Sequence, residues 1–123
     1  YRTLTGESVP IPPKSGAPPN APPGVILRIK GELDATTTPR FHEILEGEIQ
    51  RRCIHFILNL SSVRFMGSSA FGALISLKAR LDGWGGTVRV CGASPITLEP
   101  MRRIGADKVL DVCSTEEEAL AKR

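Results

Sequence analysis

Two adjacent serines, Ser68 and Ser69, are the residues of this sequence whose type and position most directly suggest chemistry. They stand between a strongly apolar run at residues 54–60 and a segment with helical periodicity, so they fall at a predicted helix start. Unpaired N–H groups and the helix dipole favour negative charge there, by about 0.3–1 kcal/mol. A phosphate on either hydroxyl would add about −1.5 to −2 charges to the surface. The alternative is that Ser68 simply caps the helix, since serine is a preferred cap residue.

The elements that position these serines follow from hydrophobic periodicity. Alternation at residues 25–30 predicts a half-buried strand, and residues 54–60 are apolar enough for a central parallel strand buried on both faces. Further strands are predicted at residues 87–91 and 108–113, with a possible edge strand at residues 8–11. A turn is predicted at residues 31–34, and a loop at residues 61–67 leads to the serines.

Helices are predicted between these strands. The first begins around residues 36–38 with Pro39 in its first turn, and the second follows Ser68. The third begins at Ser94, unless Pro100 moves its start to near Thr97 or kinks it, and ends at Gly105. The last begins at Thr115, where a glutamate three positions later completes a capping box.

Strands and helices therefore alternate along most of the chain, which predicts an α/β fold. We expect a mostly parallel sheet of four to five strands with four helices. Seven of the ten prolines lie in the first 24 residues. Residues 1–24 are interpreted as a proline-rich leader with the possible edge strand, and residues 25–123 as a single domain.

Composition excludes several classes of function. Apolar residues make up 41% and charged residues 24% of the 123, as in soluble globular proteins. No apolar run is long enough for a membrane span, and no secretory signal is recognisable, so we expect a cytoplasmic protein without membrane insertion. The net charge of +3 is scattered in pairs rather than gathered in a stripe, which argues against nucleic-acid binding.

The three cysteines, Cys53, Cys91 and Cys113, are odd in number, widely separated and without a CxxC pair, which indicates neither a disulfide framework nor a metal site. If the strands at residues 87–91 and 109–113 are neighbours, Cys91 and Cys113 lie side by side. Adjacent strands are about 4.8 Å apart, which is within the range of a disulfide. Reduced, buried thiols are the alternative in a reducing cytoplasm.

An enzyme is not expected. A serine hydrolase elbow needs Gly-x-Ser-x-Gly, and Phe71 occupies the second glycine position around Ser69. The candidate bases, His42 and His55, are isolated on a predicted helix and a predicted strand. No phosphate-binding loop is present, and the sequence indicates neither a cofactor nor a metal.

Three motifs together resemble the STAS domain, in the anti-sigma-factor antagonist family of bacteria. They are Gly-Glu-Leu-Asp at residues 31–34, Asn-Leu-Ser at 59–61 and Phe-Met-Gly-Ser-Ser-Ala-Phe-Gly-Ala-Leu at 65–74. The resemblance covers about residues 25–120. It implies a non-catalytic regulator of transcription that works by partner switching. Such a protein binds an anti-sigma factor that is also a serine kinase, so that a sigma factor is released. Phosphorylation by the kinase ends the interaction, and a metal-dependent serine phosphatase restores it.

The resemblance also assigns roles to residues. It implies phosphorylation at Ser69, with Asp34 as the acid beside it. The docking face it implies contains Asp34, Thr36, Thr37, Met66, Gly67, Ser68, Ser69, Ala70 and Phe71.

Three positions depart from the family. Gly67 and Asn59 replace aspartates, and Ala70 replaces a glycine; loss of the acid at residue 67 is expected to change phosphorylation efficiency or kinase choice. The other function left open is that of a STAS regulatory module in a transporter or sensory complex, with the proline-rich leader as a linker.

Overall fold

The computed structural model describes residues 3–12, Gly16 and residues 23–121. Its centre is a five-stranded sheet in the order β1-β2-β3-β4-β5. The strands are β1 (Leu4–Pro10), β2 (Gly24–Leu33), β3 (His55–Met66), β4 (Thr87–Cys91) and β5 (Asp111–Cys113). β1 is antiparallel to β2, and every other pair is parallel. The α/β prediction, including the N-terminal edge strand, is confirmed.

Helices cover both faces of this sheet. They are α1 (Thr38–Gln50), α2 (Ser68–Asp82), α3 (Pro95–Arg103), α4 (Ala106–Val109) and α5 (Glu116–Ala121). The larger core contains apolar side chains of α1 and α2, such as Phe41 and Leu74, against Phe56 and Leu58 of β3. Ile57, between them, points to the other face and packs in a smaller cluster with Ala119 of α5. Burial on both faces explains the continuous apolar run at residues 54–60.

The two strands that lead to the site are longer than predicted. β2 includes the predicted turn at residues 31–34 as far as Leu33, and β3 includes the predicted loop at residues 61–67 as far as Met66. Both predictions are wrong because irregularities in the register, between Arg28 and Lys30 and next to Gly31, let the pairing continue. Polar side chains on the exposed positions of this extension concealed it from the hydrophobic pattern.

Other boundaries also differ from the prediction. The strand predicted at residues 108–113 begins only at Asp111, because the preceding residues form the single turn α4. α3 begins at Pro95, which needs no N–H partner in the first turn, and it contains Pro100. The edge strand predicted at residues 8–11 begins earlier, at Leu4. Most of the proline-rich connector, residues 13–15 and 17–22, lies outside the described residues.

The cysteine prediction is confirmed in its geometry. Cys91 and Cys113 are direct partners in the register of β4 and β5. All three cysteines are buried. Burial raises the pKa of the Cys91 thiol to about 11, so the reactive thiolate is scarce at neutral pH.

α5 is attached to the sheet by a polar network. Arg28 of β2 donates to both carboxylate oxygens of Glu116, from Nε at 2.9 Å and Nη2 at 3.0 Å. Asn59 of β3 donates to the same carboxylate at 2.6 Å. These hydrogen bonds lower the pKa of the Glu116 carboxyl, and the hydrogen bond from Arg28 has the largest effect. An aspartate at residue 59, as in the resembled family, would instead repel this carboxylate.

The predicted cap of α5 is present. The hydroxyl of Thr115 accepts the backbone N–H of Glu118 at 3.1 Å. The Glu118 carboxylate accepts the N–H of Ser114 at 3.2 Å. In an ideal capping box it would accept the N–H of the cap residue itself, Thr115.

Gly31 is the position of the Gly-Glu-Leu-Asp motif at which backbone geometry demands glycine. Its φ is +124°, and a Cβ there would overlap the carbonyl oxygen of Thr3. Gly31→Ala should therefore lower the free energy of unfolding by about 2 kcal/mol or more, measured by urea denaturation. Gly47→Ala is the control, because a Cβ at this helical position meets nothing within 4 Å. It should raise stability by about 1 kcal/mol. A Gly31→Ala protein as stable as the wild type would show that residue 31 tolerates a side chain.

The network around Glu116 predicts a pH dependence. Because folding lowers the pKa of this carboxyl, its contribution to stability is complete above the unfolded pKa, near 4.3. The contribution is lost as the pH falls through the lower folded pKa. Glu116→Gln should therefore destabilise at pH 7, and its difference from the wild type should shrink in acid, as measured by urea denaturation at several pH values.

Glu117→Gln is the matched control, since this exposed glutamate lies in the same helical turn without an ion pair in the described part of the chain. A Glu116→Gln difference that is constant from neutral to acidic pH would rule out the ionic attachment of α5.

Candidate functional site

Ser68 and Ser69 are both exposed in the first turn of α2. The N-cap of this helix is Gly67, and the cap has no side-chain hydrogen bond, so the alternative that Ser68 caps the helix is wrong. The first N–H groups of a helix have no partner within it. Ser69 is thus a surface hydroxyl at the positive end of a 15-residue helix.

The end of β2 lies directly beside this helix start. Leu33 and Met66 are partners in the parallel register of β2 and β3. The N–H of Gly67 donates to the carbonyl oxygen of Leu33 at 2.7 Å. The carboxyl ends of two adjacent strands therefore meet here, the edge at which α/β sheets commonly bind ligands and partners.

The residues after β2 form a tight turn around Asp34. Its Oδ1 accepts the N–H of Thr36 at 2.8 Å, the Thr36 hydroxyl at 2.6 Å and the N–H of Thr37 at 3.1 Å. The Thr37 hydroxyl donates to the carbonyl oxygen of Glu32 at 2.7 Å. The half-buried Asp34 carboxylate thus organises its own loop and the start of α1.

A contact between two hydroxyl groups joins this turn to the serine helix. Oγ of Ser69 lies 3.0 Å from Oγ1 of Thr38, the first residue of α1. Oγ1 of Thr38 is in turn 2.6 Å from the carbonyl oxygen of Asp34. The two predicted motifs, at residues 31–34 and 65–74, are therefore one surface.

The structure places the predicted docking residues at three depths. Thr36, Ser68 and Ser69 are exposed, and Asp34 and Gly67 are partly exposed. Four are buried, namely Thr37, Met66, Ala70 and Phe71. The buried four hold the two loops in place and present almost no side-chain surface.

Sequence reasoning missed three neighbours of the serines. Phe65 is 44% exposed, and a Cβ on Gly67 would lie 3.4 Å from its ring. Arg64 forms a 3.1 Å ion pair with Glu32 across the two strands. Thr38 contacts Ser69 directly. A Cβ at residue 67 fits sterically, because 3.4 Å is ordinary van der Waals contact. Placing β2 and β3 as parallel neighbours in this register would have brought Glu32 opposite Phe65, next to Arg64.

The histidines considered as bases are placed elsewhere or solvated. His55 starts β3, at the opposite end of the strand from Ser69, with Nδ1 3.0 Å from the hydroxyl of Thr87. His42 is exposed on α1. Within the described residues, no group of three or more His, Cys, Asp or Glu side chains is arranged to hold a metal ion. Every helix in residues 23–121 is too short or too polar to cross a membrane.

Comparisons with known proteins agree with this fold. Residues 17–119 match the STAS domain family. The chain is 30% identical, over 80% of its length and 85% of the relative's, to an anti-sigma F factor antagonist of Paenibacillus polymyxa. Its fold is similar to a crystal structure of an anti-sigma factor antagonist from Mycobacterium paratuberculosis, with a TM-score of 0.79 and 22% identity over 98% of this chain and 93% of that one.

Two further structures share the fold. SpoIIAA, an anti-sigma factor antagonist solved in its unphosphorylated form, has a TM-score of 0.72 and 22% identity, covering 98% of this chain and 95% of its own. A sulfate transporter family protein from Wolinella succinogenes has a TM-score of 0.66 and 22% identity, covering 79% and 81%. The match over residues 17–119, which is most of the chain, identifies it as a member of the STAS domain family.

Proposed function

We propose that this protein is an anti-sigma-factor antagonist that binds an anti-sigma factor with serine kinase activity and loses that binding when Ser69 is phosphorylated. The observation that carries the proposal is the exposed Ser69 hydroxyl at the start of α2, joined to the Asp34 turn. The likeness to the Paenibacillus antagonist supports the same function. A serine phosphatase would reset the protein, which has no catalytic step of its own.

Charge is the physical basis of this switch. A phosphate on Ser69 adds about −1.5 to −2 charges beside the turn that carries the carboxylate of Asp34. Within the protein, the N-terminus of α2 stabilises the new charge. At an interface, burying a new charge without a partner, or opposing like charges, costs several kcal/mol. Phosphorylation is therefore expected to remove the partner and leave the fold intact.

We infer that the partner contacts the exposed part of the predicted face. This part consists of Thr36, Ser68 and Ser69, with the partly exposed Asp34 and Gly67. The exposed ring of Phe65 lies beside Gly67 and adds apolar area, which is typical of an interface anchor. The buried Met66, Ala70, Phe71 and Thr37 position these groups.

The alternative function is a regulatory module of a transporter or sensory complex. The fold shared with the Wolinella sulfate transporter family protein favours it. The two proposals differ in the partner, so a pull-down from the native host with the wild-type protein and Ser69→Asp separates them. Recovery of a kinase by the wild type alone supports the antagonist, whereas recovery of a transporter or sensor protein supports the alternative.

A charge at residue 69 should prevent binding to the kinase recovered in this way. Ser69→Asp is expected to weaken the affinity by about 2–3 kcal/mol, or about 100-fold, in a calorimetric titration. Its free energy of unfolding should stay within about 1 kcal/mol of the wild type, because the hydroxyl is exposed at a helix N-terminus.

Ser69→Asn is the matched control, since it has the size of aspartate without the charge, and it should retain most of the affinity. Equal losses in the two variants would mean that shape rather than charge is recognised. A large loss of stability in Ser69→Asp would identify Ser69 as a structural residue.

Incubation with the kinase and ATP should place one phosphate on the protein, located on Ser69 by mass spectrometry. Ser69→Ala should bind the kinase but accept no phosphate, and Ser68→Ala should accept it as the wild type does. Phosphate found on Ser68 or elsewhere in the wild type would refute the assignment.

A further inference from the structure

The hydroxyl of Thr38 has a defined hydrogen-bonding role towards Ser69. Thr38 is the first residue of α1 and is 9% exposed, whereas Ser69 is exposed. The two oxygens are 3.0 Å apart although 31 positions separate the residues. Thr38 thus lies beneath the Ser69 hydroxyl, on its protein side.

The direction of the hydrogen bond follows from counting hydrogens. A threonine hydroxyl has one hydrogen, and a carbonyl oxygen can only accept. Oγ1 of Thr38 is 2.6 Å from the carbonyl oxygen of Asp34, so its hydrogen is used there. Towards Ser69 it can then only accept, and the Ser69 hydroxyl must donate. The lone pairs of Ser69 are thereby left to face outwards.

We propose that Thr38 is a positioning residue for the phosphorylation of Ser69, an inference that rests on the proposed function. In the transfer, the bond between Oγ and the γ-phosphorus of ATP forms and the bond from that phosphorus to the departing ADP breaks. Once the Oγ–P bond forms, the Ser69 oxygen turns its hydrogen away from Thr38 and passes the proton to a base of the kinase. Because the transition state of phosphoryl transfer is loose, the proton leaves late, and an outward-facing lone pair is what the early step requires.

Phosphorylation then reverses the roles of the two side chains. The ester oxygen of phosphoserine has no hydrogen, so it cannot donate to Thr38. Thr38 is free to turn its own hydrogen towards the phosphate. The carbonyl oxygen of Asp34 still accepts hydrogen bonds from the backbone N–H of Thr38, at 2.9 Å, and of Thr37, at 3.2 Å. The modification is thus transmitted to the Asp34 turn without leaving a buried acceptor unpaired.

The test compares variants with and without a hydroxyl at residue 38. Thr38→Val keeps the shape and removes the hydrogen bond, so Ser69 is no longer held in one of its three rotamers. We expect kcat for phosphorylation to fall about three- to tenfold, with KM unchanged because residue 38 is buried beneath the surface. Thr38→Ser should restore the wild-type kcat. Thr97→Val is the control, because this buried threonine hydroxyl has no partner among the described residues.

Two results would overturn the proposal. One is a wild-type kcat in Thr38→Val. The other is a Thr38→Ser protein as slow as Thr38→Val, which would indicate packing rather than hydrogen bonding.

A measurement without the kinase separates this proposal from the proposed function. The two Hα–Hβ couplings of Ser69, measured by NMR, should be unequal in the wild type and in Thr38→Ser and averaged in Thr38→Val. If the wild type accepts no phosphate, the proposed function fails, and these couplings still decide whether Thr38 orients Ser69. Averaged couplings in the wild type would remove the positioning role.

Discussion

Parallel pairing between β2 and β3, continued to Leu33 opposite Met66, is the constraint on which the site depends. It brings the turn at Asp34 and the start of α2 to the same edge of the sheet. The hydrogen bond from Gly67 to Leu33 then fixes where the helix begins, and so where Ser69 stands. If the pairing stopped at Leu60, as the hydrophobic pattern suggests, the serines would follow a flexible loop and would not face Thr38.

This arrangement separates the proposed recognition surface from the part of the molecule that determines stability. The larger core lies between the sheet and α1 and α2, and the exposed groups at the end of the sheet contribute little to it. A charge can therefore be added at Ser69 at small cost to folding. Within the protein, the helix N-terminus stabilises a negative charge on residue 69. At an interface, burying the same charge against a desolvated partner surface is unfavourable.

The sequence was sufficient to predict much of the fold. Helical periodicity predicted α1 and α2, and the apolar run at residues 54–60 predicted a central strand, because core-facing side chains follow the period of their element. The ends of β2 and β3 were not predictable in this way, since residues 61–64 are mostly polar on an extended backbone. The contact between Thr38 and Ser69 depends on register across two strands and on side-chain rotamers, which hydrophobic periodicity does not contain.

Departures from the resembled family acquire a physical explanation in one case. Asn59 donates to Glu116, so an amide is preferred over a carboxylate there. At Gly67 a Cβ would make only ordinary van der Waals contacts, and nothing in the structure explains why this residue is glycine.

The most direct test of the central claim uses authentic phosphoserine rather than a substitution. The protein phosphorylated at Ser69 and the unmodified protein should be compared in one series, for kinase affinity by titration and for free energy of unfolding by urea denaturation. We predict an affinity lower by about 100-fold and a free energy of unfolding changed by less than about 1 kcal/mol. An unchanged affinity, or a loss of affinity that accompanies unfolding of the domain, would contradict the account.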